Sequence, residues 1–259
     1  MRRLAPVFLL AAALGLAPPG AFRAHAETPP RADGPACSAP PEAMEAAPLA
    51  GAFAALASGA LRIMVVGSAS IASGGTSSPE ATWPKRLEAR LAARLAPATV
   101  QLSVFGGRGT TAADHARILA AETPRLRPHL VIWQLGTVET ARAMPADDMS
   151  DVVHEAATRL RTTRGEATDL VLMDMQFSRF LRANADVEAY RDQLRIAAAA
   201  GGAQYFSRWA VMKHWVDIER LDLERAPRAQ RTAIADELHD CLARVLTGFV
   251  LEGTQRRRR

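Results

Sequence analysis

Five short runs of consecutive apolar residues set the rhythm of the chain: Arg62–Val66, Val100–Val104, His129–Gln134, Leu170–Met173 and the weaker Gln204–Phe206. In most of them the apolar positions are adjacent rather than alternating, the pattern of strands buried on both faces; Val100–Val104, which reads VQLSV, alternates. Between them the apolar spacing widens to three and four. Leu87, Leu91 and Leu95 form one stripe behind Trp83, a helix follows from about Ala112, and Val152, Val153, Ala156 and Leu160 mark the next. Val187–Ala199 also reads helical, and a long closing helix runs from about Ala229 to Phe249 with Ile234, Leu238, Leu242, Val245 and Phe249 on its apolar side. Strand followed by helix, repeated, predicts an α/β domain whose parallel five-stranded sheet is covered on both faces, a three-layer α/β/α sandwich. The expected strand order is 2-1-3-4-5, as in flavodoxin-like folds. Trp133 falls inside a strand and belongs to the core; His214 and Trp215 read as core, with a cleft rim as the alternative.

The ends carry a different pattern. Arg2 and Arg3, the apolar Leu4–Ala17 and the Ala24-His25-Ala26 triplet before Glu27 make up a leader expected to be cleaved on export to the periplasm or the exterior. The apolar run is short and broken by Pro18 and Pro19, so no stable membrane span is expected after cleavage; an uncleaved anchor is the alternative. The expected organisation is a signal peptide at 1–26, a Pro/Ala-rich arm at 27–47, one domain at 48–251 and a basic tail at 252–259. Two cysteines survive export, Cys37 in the arm and Cys241 in the closing helix. In an exported protein they are expected to pair and tie the arm to that helix, two free thiols being the alternative.

Charge narrows the function classes. The whole chain is formally +5, but the leader takes away three arginines and no acid, and four more arginines are Arg256–Arg259. The body between is slightly acidic, which argues against nucleic acid as a partner, since such binders gather basic charge on one face. Gly106, Gly107 and Gly109 do not follow the first strand as a dinucleotide loop requires, and no phosphate-binding GxxxxGK[ST] is present, so no nucleotide cofactor is expected. No HExxH occurs, and Asp236 with His239, one helical turn apart, lack the further ligands of a metal site.

Chemistry in such folds collects at the carboxyl ends of the strands. The stretches found there are LRIMVVGSASIASG, GGRGTT, HLVIWQLGT, TDLVLMDMQFS and YFSRWAVMKHWVD. In this order and spacing, from about Pro35 to Val245, they resemble the SGNH (GDSL-type) hydrolase superfamily, more closely a group of secreted bacterial members whose first motif reads GSSS. The resemblance implies an α/β/α fold and hydrolysis of acetyl, acyl or thioester groups. It also implies a serine after the first strand, an oxyanion glycine after the second, an oxyanion asparagine after the third, and a DxxH just ahead of the last helix.

Position by position, the machinery is missing. The nucleophile's place falls on Ala69 and the asparagine's on Val138; counted without gaps, the aspartate and histidine fall on Gln230 and Ala233. Only the oxyanion glycine is kept, as Gly109. A hydroxyl is a poor nucleophile until a base takes its proton, and the growing oxyanion needs donors already in place. The expectation is therefore a catalytically degenerate protein that binds a sugar or an acylated envelope component, its cleft lined by Arg108, Thr110, Thr111, Thr137, Glu139, Asp174, Gln176 and Ser178. The alternative is an active ester hydrolase using Ser68 or Ser70 with the displaced DxxH of Asp236 and His239. By the ungapped count that DxxH lies six residues too late, about 9 Å along the helix, against the ~3 Å that proton transfer needs. The sequence leaves the oligomeric state open.

Overall fold

The computed structural model describes residues 37–164 and 167–255; the leader, the first part of the arm and Arg256–Arg259 lie outside the described residues. Five strands form one parallel sheet: β1 (Ala60–Gly67), β2 (Thr99–Gly106), β3 (Leu130–Gln134), β4 (Asp169–Met173) and β5 (Gln204–Phe206), in the order β2-β1-β3-β4-β5. The register pairs Val65 with Val104 on one side and with Ile132 on the other. Every residue of β3 and all of β1 from Ile63 onward are buried, which is why these runs carry no polar alternation. At the edges, β2 buries only Leu102, and β5 is only three residues long.

Nine helices are described: α1 (Ala50–Ala57), α2 (Trp83–Leu95), α3 (Ala112–Leu126), α4 (Thr137–Ala141), α5 (Ala146–Arg164), α6 (Arg179–Asn184), α7 (Val187–Gly201), α8 (Arg208–Asp217) and α9 (Arg231–Gln255). From β1 the chain steps one way to β2 and the other way for every later strand. Right-handed crossovers then send α2 to one face and α3, α5 and α7 to the other. The packing agrees: α3, α5 and α7 pack on one another, while α2 packs against α9 and α9 against α1. The sandwich is complete. Its strand order reverses beside β1, so the loops after β1 and β3 part at their carboxyl ends and open a crevice.

From Cys37 onward the arm packs into the core. Ala43, Ala46 and Leu49 are buried, the Leu49 amide donates to the Gly253 carbonyl at 2.9 Å, and Trp215 Nε1 donates to the Ser38 carbonyl at 2.6 Å. Cys37 and Cys241 form a disulfide across 204 residues of sequence, joining the arm to α9. The closing helix begins at Arg231 and runs to Gln255, so residues 252–255, expected in the tail, are its last turn, with Gly253 and Thr254 buried. Trp133 and Trp215 are core; His214 is half-buried and meets Ser38 Oγ at 3.2 Å.

Candidate functional site

The crevice is built from the loop after β1, the end of β3 and the start of α8. After Gly67 the chain enters a short 3-10 turn at Ala69–Ile71, so the position to which the resemblance assigns the nucleophile, Ala69, carries only a methyl group. Close approach of strand ends here demands glycine: a Cβ on Gly106, at φ +108°, would stand 2.1 Å from the Gly67 carbonyl oxygen. Ser68 and Ser70, flanking Ala69, are both buried. Ser70 Oγ donates to Gln134 Oε1 at 2.8 Å, and Gln134 Nε2 donates to Ser68 Oγ at 3.3 Å. Arg208, the first residue of α8, is itself fully buried. Its Nη1 donates to Ser70 Oγ at 2.9 Å and to Gln134 Oε1 at 3.0 Å, and its Nη2 to Gln176 Oε1 at 3.5 Å.

His239 borders this group across Gly74. A Cβ on Gly74 (φ +59°) would come within 2.7 Å of His239 Nε2 and 3.2 Å of the Ser70 Cα, so glycine lets the imidazole edge sit against the serine loop. The backbone N–H of Trp83 donates to His239 Nδ1 at 3.0 Å. A backbone amide can only donate, so Nδ1 holds the ring's lone pair and the proton of the neutral imidazole sits on Nε2. The nitrogen facing the serine loop is a donor, not a base. Burial first, then the charges of Arg208 and Arg86, depress the His239 pKa to about 3 and keep the ring neutral. Asp236 does not orient it. One carboxylate oxygen takes the Ser77 N–H at 2.9 Å and the other the Ser77 hydroxyl at 2.6 Å. Burial works against the Asp236 charge, but these two bonds hold its pKa below the usual carboxylate value.

The remaining expected positions divide sharply. Gln230 and Ala233 are exposed, in the 3-10 turn before α9 and in its first turn. Gly109 occupies the turn after β2 at φ +80°, with Arg142 near enough that a Cβ there would meet its guanidinium at 3.1 Å. Arg108 is exposed, and Thr110 ties that turn together, its hydroxyl within reach of the Gly67 and Gly107 carbonyls and, at 2.8 Å, of His115 Nε2. Thr111 caps α3 with Asp114. Val138 offers no donor, and Thr137 is half-buried.

Glu139 and Asp174 were expected at the cleft mouth and belong to the interior instead. Glu139 Oε1 takes the Ala112 amide at 2.6 Å and Oε2 the Gly136 amide at 3.2 Å, joining the starts of α3 and α4. Asp174 is completely buried beneath α8. It accepts from Arg191 Nε at 3.1 Å, the Tyr205 hydroxyl at 2.6 Å, the Ser207 hydroxyl at 3.1 Å and the Trp209 amide at 2.8 Å. Ser178 caps α6 and donates to Glu224. Gln176, by contrast, does line the crevice, in contact with Arg208.

Sequence reasoning passed over Arg208, Gln134 and the Trp83 amide. Arg208 could have been found: it follows the fifth strand, and the carboxyl end of that strand faces the same crevice as the others. The Trp83 amide leaves no trace in residue identity. Among the described residues, no three His, Cys, Asp or Glu side chains converge as a metal site requires.

No curated protein matches the chain. Solved structures do. The psychrotrophic esterase EstA from Pseudoalteromonas sp., inhibited by monoethylphosphonate, superposes with a TM-score of 0.52 at 17% identity, over 71% of this chain and 98% of that one. A catalytic mutant of an acetylxylan esterase from Geobacillus stearothermophilus gives 0.56 at 15% identity, over 76% and 95%. At such identity the likeness establishes the fold. Residues 36–256 match the model of the Non-GDSL lipase-like family. With the sheet order, the motif order and that match in agreement, the chain belongs to the Non-GDSL lipase-like family, within the SGNH/GDSL hydrolase superfamily.

Proposed function

We propose that this protein keeps the fold and crevice of its esterase relatives without their nucleophile–base relay. On this reading it works in the periplasm, or outside the cell, as a binding protein for carbohydrate or acylated envelope material. The observation that carries the reading is the hydrogen-bond polarity around Ser70 and His239. The Ser70 proton is directed at an amide oxygen, Gln134 Oε1, which is not a base at neutral pH. Arg208 donates to the serine oxygen and would stabilise an alkoxide, but a guanidinium has no capacity to take the proton. His239 has the wrong nitrogen protonated. Relay catalysis needs all three functions aligned, and here each hydrogen bond points the other way. Val138 removes the side-chain oxyanion donor as well, a loss typically worth about 3 kcal/mol of barrier.

The rival reading is an active acetyl or acyl esterase using Ser68 or Ser70 with Asp236 and His239. It is favoured by one observation, the closeness of the His239 ring to the serine loop across Gly74. Purified protein assayed on short acyl esters and acetylated glycans, beside Ser68→Ala, Ser70→Ala and His239→Ala, separates the two. The binding reading expects all four proteins to be equally inert. Turnover well above background that any one substitution abolishes would overturn it.

A further inference from the structure

Resting on the binding reading, a second question is what the crevice takes. Among the described residues two arginines are buried, Arg191 and Arg208, and of these only Arg191 contacts an acid. Arg208 is 1% exposed, yet among the described residues none of its contacts carries negative charge: Ser70 Oγ, Gln134 Oε1 and Gln176 Oε1 are all neutral oxygens. Its Nε has no partner at all. Asp174 acts on Arg208 only through space, its carboxylate being taken by four other donors. Burial lowers the Arg208 pKa to about 10, so it remains a cation at neutral pH. A buried, unpaired charge is among the least favourable things a fold can hold, unless something outside the chain completes it.

Arg208 also borders a cavity of about 60 Å³ whose other inner walls are Gln176, Gly74 and His239. Since Nδ1 of His239 holds the Trp83 bond, the ring edge beside Gly74 presents N–H. Arg208 and His239 therefore line the inner end with donors, the complement of an oxygen anion. Met212, Val216, Leu221 and Leu238 add apolar wall. At the rim the acids are already engaged: Asp222 takes both Nη of Arg179, at 2.8 and 2.7 Å, and Glu224 takes the Ser178 hydroxyl and the Arg179 amide. With one arginine against two carboxylates the rim keeps a net negative charge, which disfavours a polyanion. The volume corresponds to about four or five water positions, which limits the occupant to a few heavy atoms.

We propose that this cavity is a binding site for a short-chain monocarboxylate of acetate or propionate size, its carboxylate against the Arg208 guanidinium and its alkyl end against Met212 and Leu238. Guanidinium and carboxylate match in plane and donor spacing, which a spherical anion does not.

The test titrates sodium acetate, propionate, glucuronate and, at matched ionic strength, chloride into the full mature chain. Binding is read by calorimetry and by the Nε–H signal of Arg208 in a nitrogen-15 spectrum. The expected result is saturable binding of acetate and propionate that shifts the Arg208 signal, with glucuronate and chloride at least tenfold weaker. Arg208→Met should lose the response at least tenfold. The signal of the unsubstituted protein decides the matter should that variant not fold. No carboxylate-dependent shift, or an unchanged response in Arg208→Met, would overturn the proposal; glucuronate binding as tightly as acetate would replace the short-chain ligand by an acidic sugar. Ester turnover abolished by His239→Ala sinks the binding reading, whereas absent acetate binding with no turnover sinks only this inference.

Discussion

Arg191, on α7, and Arg208, the first residue of α8, are both buried, but they live in opposite circumstances. Arg191 meets Asp174 at 3.1 Å and Glu188 at 2.6 Å, and its partner Asp174 is in turn satisfied by Tyr205, Ser207 and the Trp209 amide. Burial pushes the Asp174 pKa up, and the donors around it are what keep the network ordered. That cluster is closed: every charge has its complement inside the chain. Around Arg208 the complement is missing. One buried arginine holds the end of the sheet together; the other is left for something else. The difference teaches that burial by itself does not separate a structural charge from a functional one. The partner list does.

The largest effect expected is in the closed cluster. Asp174→Ala leaves Arg191 with only the exposed Glu188 as its acid and should lower unfolding free energy by about 3–5 kcal/mol, as breaking a buried pair does. Denaturant titration would show it as a lower midpoint at unchanged slope. A loss under about 1 kcal/mol would mean that the cluster is not the closed unit described.

A middle-sized effect comes from acid. His115 is buried against Trp133, and burial lowers its pKa to about 4; that of His239 is lowered to about 3. Both values lie below those of the unfolded chain, so below pH ~6.5 the unfolded state binds protons that the folded state refuses. Stability is full above that pH and falls as pH drops toward 4 and 3. Between pH 6.5 and 5 each histidine should cost about 2 kcal/mol. His239→Gln should therefore remove about 2 kcal/mol of that acid loss. An unchanged pH profile in the variant would place His239 in a more solvated, titrating environment.

The smallest effect is predicted for the open region. Arg208→Met removes an unpaired cation and leaves Ser70 and Gln134 hydrogen-bonded to each other. Replacing such a charge by an apolar side chain is often neutral or stabilising, so the change without ligand should stay within about 1 kcal/mol of the parent. A loss as large as that of Asp174→Ala would erase the contrast between the two arginines.

Most of the architecture could be read from the apolar pattern. Leu130–Gln134 and Gln204–Phe206 form strands because their apolar positions are contiguous, and Leu87 and Leu91 share the buried face of α2. The order of the sheet followed as well. Two of the helices that went unread, α1 and α8, have weak amphipathic signals. α1 is alanine-rich and α8 carries apolar residues around most of its circumference, so neither shows a clear stripe. That Ala69 has no nucleophilic chemistry to offer was legible from its identity alone. The roles of Glu139 and Asp174 were not, because a carboxylate after a strand looks the same in sequence whether it faces a cleft or caps a helix. Arg208 sits in a motif, YFSRWAVMKHWVD, whose tryptophans draw more attention than its arginine. That the Gly74 turn folds against His239 was not legible either, because counting residues along a helix says nothing of which loop packs on it.

The account turns on which nitrogen of His239 carries the proton. Long-range nitrogen–proton correlation spectra of the imidazole report this directly, without substrate and without substitution. The account predicts a neutral ring protonated on Nε2, with Nδ1 accepting the Trp83 amide, and no titration between about pH 8 and pH 5. A ring protonated on Nδ1, or one that titrates near its ordinary value of 6.5, would restore a base beside Ser70 and contradict it.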